Sequence, residues 1–254
     1  MLTATGSYLI NIFNTLGEFT LFSVSTIRGI FSKELKRKRV LEQMYKVGAQ
    51  SFIITAITLT FVGMVFSSQV TKEFLRMGAA KIIGGIVGFA IWRELGPLLT
   101  SVVVAARVGA AISTEIAAMK VTEQLDALRS MALDPFSYLY APRVIALVCM
   151  LPLLIVFADF CGFMAGIFIY VLAYNGNSVN YFVSAAHMLD LTDILAGILI
   201  KGPIFGAVIA LTATYVGSKT SSGSQGIGMA ATTAVVSSLI ILFILNFFIS
   251  FLVF

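Results

Sequence analysis

Five segments of this chain are each long and apolar enough to cross a lipid bilayer. They run from about Val47 to Ser68, Ile82 to Ile112, Val144 to Tyr174, Leu191 to Val216 and Met229 to Phe254. The hydrocarbon core is roughly 30 Å thick, so a helix needs about 20 apolar residues to span it. With no water available there, the backbone must satisfy its own polar groups, and apolar runs of this length do so as α-helices. The sequence therefore predicts an all-α integral membrane protein organised as one unit over residues 1–254. Residues 1–45 read as an N-terminal interfacial helix and basic segment, and residues 46–254 as the transmembrane region with five spans.

Of the 254 residues, 59% are hydrophobic and 11% charged, against about 25% charged in a soluble domain. That excludes a soluble enzyme, a disordered chain and a nucleic-acid-binding domain. The net charge of +5 reflects loop placement instead, because Lys and Arg collect in cytoplasmic loops. With the N-terminus cytoplasmic, the inner segments hold twelve basic residues: Arg28, Lys33, Lys36, Arg37, Lys38, Arg39, Lys46, Arg107, Lys120, Arg129, Arg143 and Lys219. The outer loops hold three, Lys72, Arg76 and Lys81, and the second outer loop, 175–190, holds none. Five spans then put the C-terminus on the periplasmic side.

In residues 1–30, Leu9, Ile12, Phe13, Leu16, Phe19, Ile27 and Ile30 largely follow helical spacing, interrupted by Asn11, Asn14, Glu18, Ser25 and Arg28. Such a helix lies along the membrane surface. A signal peptide fits less well, because the positive charge follows the apolar stretch and no compact apolar region precedes a small-residue cleavage site. The basic cluster from Lys33 to Lys46 suits anionic lipid heads. Cys149 and Cys161 share one apolar stretch; on one helix they stand about 18 Å apart, too far for a disulfide. The single histidine, His187, rules out a His-rich metal site. No G-x-x-x-x-G-K-[ST] loop is present, so any ATP is bound by another chain.

Gly84 and Gly88, Gly162 and Gly166, and Gly202 and Gly206 are spaced for close helix approach, within the chain or at a homodimer seam. Ionisable residues inside spans are costly and mark a pathway or a pair; Arg93, Glu94, Asp159 and Lys201 stand out. Arg93 and Glu94 point about 100° apart on a helix, so each needs a partner elsewhere. Lys201 is the opposite charge for Glu94 or Asp159. A structural salt bridge and a ligand site are both open readings. Residues 113–136 read as a short amphipathic helix. Its apolar stripe is Met119, Leu125, Leu128, Met131 and Ala132, its charged face Glu123, Asp126 and Arg129, and Asp134-Pro135 ends it. It suits docking into a partner groove or lying on the membrane.

The run R-E-L-G-P-L-L-T (Arg93–Thr100) continues as A-A-R-V-G-A-A-I-S-T-E-I (Ala105–Ile116) and M-K-V-T-E-Q-L-D-A-L (Met119–Leu128). L-D-P at Leu133–Pro135 and P-R-V at Pro142–Val144 follow. This stretch closely resembles the MlaE family of permeases, membrane subunits of ATP-driven phospholipid transporters of the Mla/Mce type. The resemblance extends over nearly the whole chain, at the ends in pattern only. It implies a bacterial inner-membrane permease that is not itself an enzyme, uses no cofactor and has no catalytic or metal-binding residue. Such a permease moves phospholipid between the inner membrane and an MCE-domain partner, contributing to outer-membrane lipid asymmetry. The resemblance also implies a homodimer, a cytoplasmic ATP-binding-cassette ATPase dimer, an MCE-domain hexamer on the outer face, and room for a regulatory STAS-domain subunit.

By the same resemblance, the ATPase grips the short cytoplasmic coupling helix between spans two and three, here Met119, Glu123, Gln124, Asp126, Leu128, Arg129 and Met131. Lipid occupies a cavity between two permeases near Arg93, Glu94, Leu95, Leu98, Leu99, Lys201 and Asn246. Some members carry an acidic residue where this chain has Asn246. Two other classes compete. An intramembrane enzyme acting on lipid heads needs a nucleophile or metal constellation, and Glu115, Glu123 and Asp126 are a weak acidic cluster that reads better as a docking face. A stand-alone secondary transporter often shows internal repeats, and five spans without a repeat argue against it.

Overall fold

The computed structural model describes residues 2–32, 35–220 and 223–253. Lys33 lies outside the described residues, as do the side chains of Leu9, Asn11 and Ile12. Among the described residues there is no strand. The helices are α1 (Leu2–Ile30), α2 (Arg37–Arg76), α3 (Ala80–Val121), α4 (Gln124–Ser130), α5 (Phe136–Tyr174), α6 (Ser178–Met188), α7 (Leu191–Ser218) and α8 (Gly223–Val253). Helices α2, α3, α5, α7 and α8 are long and apolar enough to cross a membrane.

The expected spans were too short at their polar ends. Helix α2 has 40 residues and α3 has 42, about 60 Å of helix each against roughly 30 Å of hydrocarbon. The extra turns are charged but helical. Residues 37–46 are rich in Arg, Lys, Leu, Glu, Gln and Met, all good helix formers. Pro152 lies inside α5 without ending it.

Helix α5 is the central post. It packs against α2 on one side and α7 on another, while the C-terminal part of α3 packs against α7 and α8. One apolar core joins these helices through Val104, Leu147, Leu151, Ile155, Phe205 and Ile209. A second joins Ile83, Val87 and Ile91 of α3 to Phe163, Tyr170 and Tyr181. All three glycine pairs serve contacts within the chain. Gly84 meets the Tyr181 backbone, Gly162 and Gly166 meet Leu59 and Ser67 of α2, and Gly202 and Gly206 meet Pro152 and Leu147.

Helix α6 corrects the reading of 175–190 as a loop. Asn177 caps it by accepting from Val179 N at 2.8 Å, and it packs on the glycine face of α3. Its eleven residues are too few to span a bilayer, so hydropathy alone passes over it. Helix α1 lies across the ends of α5 and α7, where Phe22 packs against Phe136, Tyr140 and Tyr215. Glu18 of α1 is 2.7 Å from Lys219 Nζ; this hydrogen bond and charge hold the Glu18 carboxyl below its ordinary pKa.

The segment 113–136 is not one helix. Residues up to Val121 continue α3, the chain breaks at Glu123 in the left-handed region (φ 58°), and only Gln124–Ser130 form α4. Asp134-Pro135 does not end that helix; it starts the next one. Asp134 Oδ1 and Oδ2 accept from Phe136 N (3.2 Å) and Ser137 N (3.3 Å), covering free N–H groups at the head of α5. Asp134→Ala is expected to cost about 1 kcal/mol, read as a lower unfolding midpoint in detergent. An unchanged midpoint would show that water caps this helix equally well.

Candidate functional site

Helices α3, α5 and α7 share one irregularity. Each has a π-turn, at Ile91–Leu95, Phe136–Tyr140 and Gly197–Lys201, and each turn is followed within two residues by a proline: Pro97, Pro142 and Pro203. Proline lacks an N–H and its ring clashes with the carbonyl four residues back, and a widened turn before it relieves that clash. The carbonyl four residues before Pro97 is that of Arg93. Lys201, at the end of the α7 π-turn, donates from Nζ to that oxygen at 2.9 Å. Likewise, the Tyr138 carbonyl, four before Pro142, accepts from Arg39 at 3.4 Å. The backbone defects thus create acceptors for cations inside or beside the membrane.

Around Lys201 a polar cluster closes. Its ammonium has three protons and three acceptors: Arg93 O, Glu94 Oε2 at 2.8 Å and Ser250 Oγ at 2.9 Å. Ser250 passes its own proton to Glu94 Oε1 at 2.9 Å. Asn246 Nδ2 donates to Glu94 Oε2 at 3.3 Å. The Lys201 side chain is wholly buried while that of Glu94 is 34% exposed, so the carboxylate faces outward and the ammonium sits behind it. Arg93 stands 4.0 Å from Glu94 Oε1 and 3.9 Å from Asp193 Oδ1, with its guanidinium over the Phe89 ring. The adjacent pair thus still meets, at the outer limit of an ion pair, while each residue also has a partner on another element.

The structure brings Arg93, Glu94, Lys201 and Asn246 together. Leu95 turns elsewhere, into an apolar groove of about 380 Å³ with Phe61, Val65 and Phe66 of α2, and Leu98 and Leu99 are half-buried. Sequence reasoning missed Ser250 and Asp193. The signal for Ser250 was its spacing from Asn246, four residues and so one helix face. Asp159 is not the partner of Lys201. It is wholly buried, its carboxyl lies against Gly96, and among the described residues neither oxygen has a hydrogen-bond partner.

At the other end, α4 separates the expected docking residues. Glu123, Gln124, Asp126, Arg129 and Met131 are exposed. Leu128 is buried beside Leu125, and Met119 packs on the core from α3, while Met131 and Ala132 at the end of the apolar stripe are exposed. Glu115 leaves the docking face, because it pairs with the buried Arg143 at 2.8 Å and joins α3 to α5. Asp126 bonds Lys120 and Arg129 at 3.4 and 3.3 Å.

Comparison with known proteins gives the family. The family described as Permease MlaE matches residues 40–252, a range that contains the polar cluster and α4. A probable ABC transporter permease protein of Synechocystis is 44% identical over 89% of this chain and 85% of its own length. One from Rickettsia typhi is 38% identical over 98% and 96%. The chloroplastic protein trigalactosyldiacylglycerol 1 of Arabidopsis thaliana is 38% identical over 87% of this chain and 63% of its own. The family match over most of the chain, similarity to permeases over nearly its full length and five helices able to cross a membrane make this chain a member of the MlaE permease family, a multi-pass permease of the ATP-binding-cassette type.

Proposed function

We propose that this permease moves phospholipid between the inner membrane and an MCE-domain partner outside it. Two copies form the lipid cavity and a separate ATPase dimer drives it. The observation that carries this reading is the cluster at Glu94. A wholly buried ammonium behind a partly exposed carboxylate, flanked by Arg93, is costly in a bilayer and is kept where it meets a ligand. A zwitterionic or anionic head engages Arg93 and Glu94, and Leu95, Leu98 and Leu99 supply apolar wall for acyl chains. The Arabidopsis relative is named after a lipid, which favours a lipid cargo. In this reading the N-terminus is cytoplasmic, the C-terminus periplasmic, and a STAS-domain subunit sits with the ATPase.

The test is co-purification of the tagged chain from its own membrane, followed by reconstitution with what is recovered. An ATPase and an MCE-domain protein are expected, with ATP-dependent lipid transfer. Ion-gradient-driven transfer by the chain alone would sink the proposal. The docking face makes a second expectation. Met131 is 63% exposed at the end of α4, so Met131→Asp is expected to lower recovery of the ATPase about tenfold, the loss of one well-buried apolar contact. Unchanged recovery would move the docking site off α4.

A further inference from the structure

About 21 Å along α3 from the Arg93 carbonyl, at the basic end of the spans, a second polar site lies between α2 and α3. It is a cavity of about 270 Å³ whose walls include Gln43, Lys46, Gln50 and Arg107, with Val47 and Ile112 as apolar floor. Arg107 is held in place by neutral groups: Nη1 donates to Ser51 Oγ at 2.6 Å and Nη2 to Gln50 Oε1 at 3.0 Å. Among the described residues, neither Arg107 nor Lys46 has a carboxylate partner. The one acid on the cavity wall, Glu115, is taken by Arg143 at 2.8 Å. Two cations without a carboxylate partner therefore face one space whose one acid is neutralised by Arg143.

We propose that this cavity binds the phosphate of an anionic phospholipid headgroup from the adjacent leaflet. A planar guanidinium oriented by two hydrogen bonds retains further N–H donors for phosphate oxygens, and Lys46 adds a mobile charge. The space suits a headgroup, not a whole lipid. Val47 and Ile112 meet the start of the acyl chains, while the chains themselves lie along the exposed apolar face of α2, where Ile53, Ile54 and Ile57 point outward. The level fits: Lys46 sits where α2 passes from its charged turns into its apolar run. The bound lipid ties α2 to α3 at this end, away from the Glu94 cluster.

The experiment is native mass spectrometry of the full chain in detergent with added phosphatidylglycerol, phosphatidylcholine or inorganic phosphate. The wild type is expected to retain one more phosphatidylglycerol than Lys46→Glu, with affinity lowered about tenfold in Lys46→Glu and in Arg107→Gln, the worth of one charge-assisted hydrogen bond. Lys46 is exposed and unpaired, so Lys46→Glu reports on binding even if Arg107→Gln fails to fold. Wild-type retention by Lys46→Glu overturns the site. So does equal retention of phosphatidylcholine, which shows that net charge is not read. Displacement by millimolar inorganic phosphate overturns the lipid source. Glu94→Gln is expected to keep this binding within about twofold, so the two sites fail separately.

Discussion

Glu94→Gln is expected to insert and fold yet lose at least about nine-tenths of ATP-dependent lipid transfer, an effect of more than 1.4 kcal/mol on the transport step. Glutamine keeps the shape and still accepts from Ser250 or Lys201, but the charge is gone. Removing one member of a fully buried ion pair costs about 3–5 kcal/mol. Here the cost is smaller, because Glu94 is one-third exposed and Lys201 keeps Arg93 O and Ser250 Oγ as acceptors. The asymmetry in burial adds a second expectation. Glu94→Gln strands a wholly buried cation, whereas Lys201→Met strands a carboxylate that water can reach, so Lys201→Met is the less destabilising of the two. The double variant removes both charges and is expected to regain stability without regaining transport. Unfolding midpoints in detergent and transfer in reconstituted vesicles measure the two separately. If the double variant recovers both, the pair is a structural salt bridge and the ligand reading of Glu94 fails.

Gly63→Leu is expected to prevent accumulation of folded protein. A Cβ at Gly63 would run into the Gly162 backbone, and one at Gly162 would lie 2.9 Å from the Leu59 carbonyl oxygen. Backbone meets backbone here, so no side chain can swing away. Even Gly63→Ala sets two effects against each other. Better helix propensity favours alanine by about 0.5–1 kcal/mol, while overpacking costs about 1–3 kcal/mol or more. Overpacking wins at Gly63. At Gly228 of α8 nothing lies within 4 Å, so Gly228→Ala is expected to be neutral or slightly stabilising. Yield and thermal midpoint in detergent distinguish the two sites. A Gly63→Leu protein with wild-type yield and midpoint would show that α2 and α5 can part without cost.

Much of the site was legible from residue type alone. Charges inside apolar runs stand out because the bilayer penalises them, so Arg93, Glu94 and Lys201 were visible before any fold. Ser250 was not, since a serine in an apolar helix costs little and carries no such signal. Asp159 looked like an equal candidate for Lys201, and only the facing of α5 towards Gly96 separated them. On α4 the amphipathic pattern was real, but its periodicity cannot say which face meets the protein. Leu125 and Leu128 of the apolar stripe turned inward, while Met131 and Ala132 stayed exposed.

The sequence by itself determined the all-α class, five spans, the bias of basic residues to one end and the presence of charges that need partners. These follow from local chemistry: run length against bilayer thickness, and the cost of charge in hydrocarbon. The tertiary structure alone decided which charges meet, that the glycine pairs serve this chain's own helices, and that α6 folds back on α3. Those outcomes depend on helix rotation and register between segments up to about 150 residues apart, as for Glu94 and Ser250. Side-chain spacing along one helix fixes neither quantity; only packing of all the helices together does.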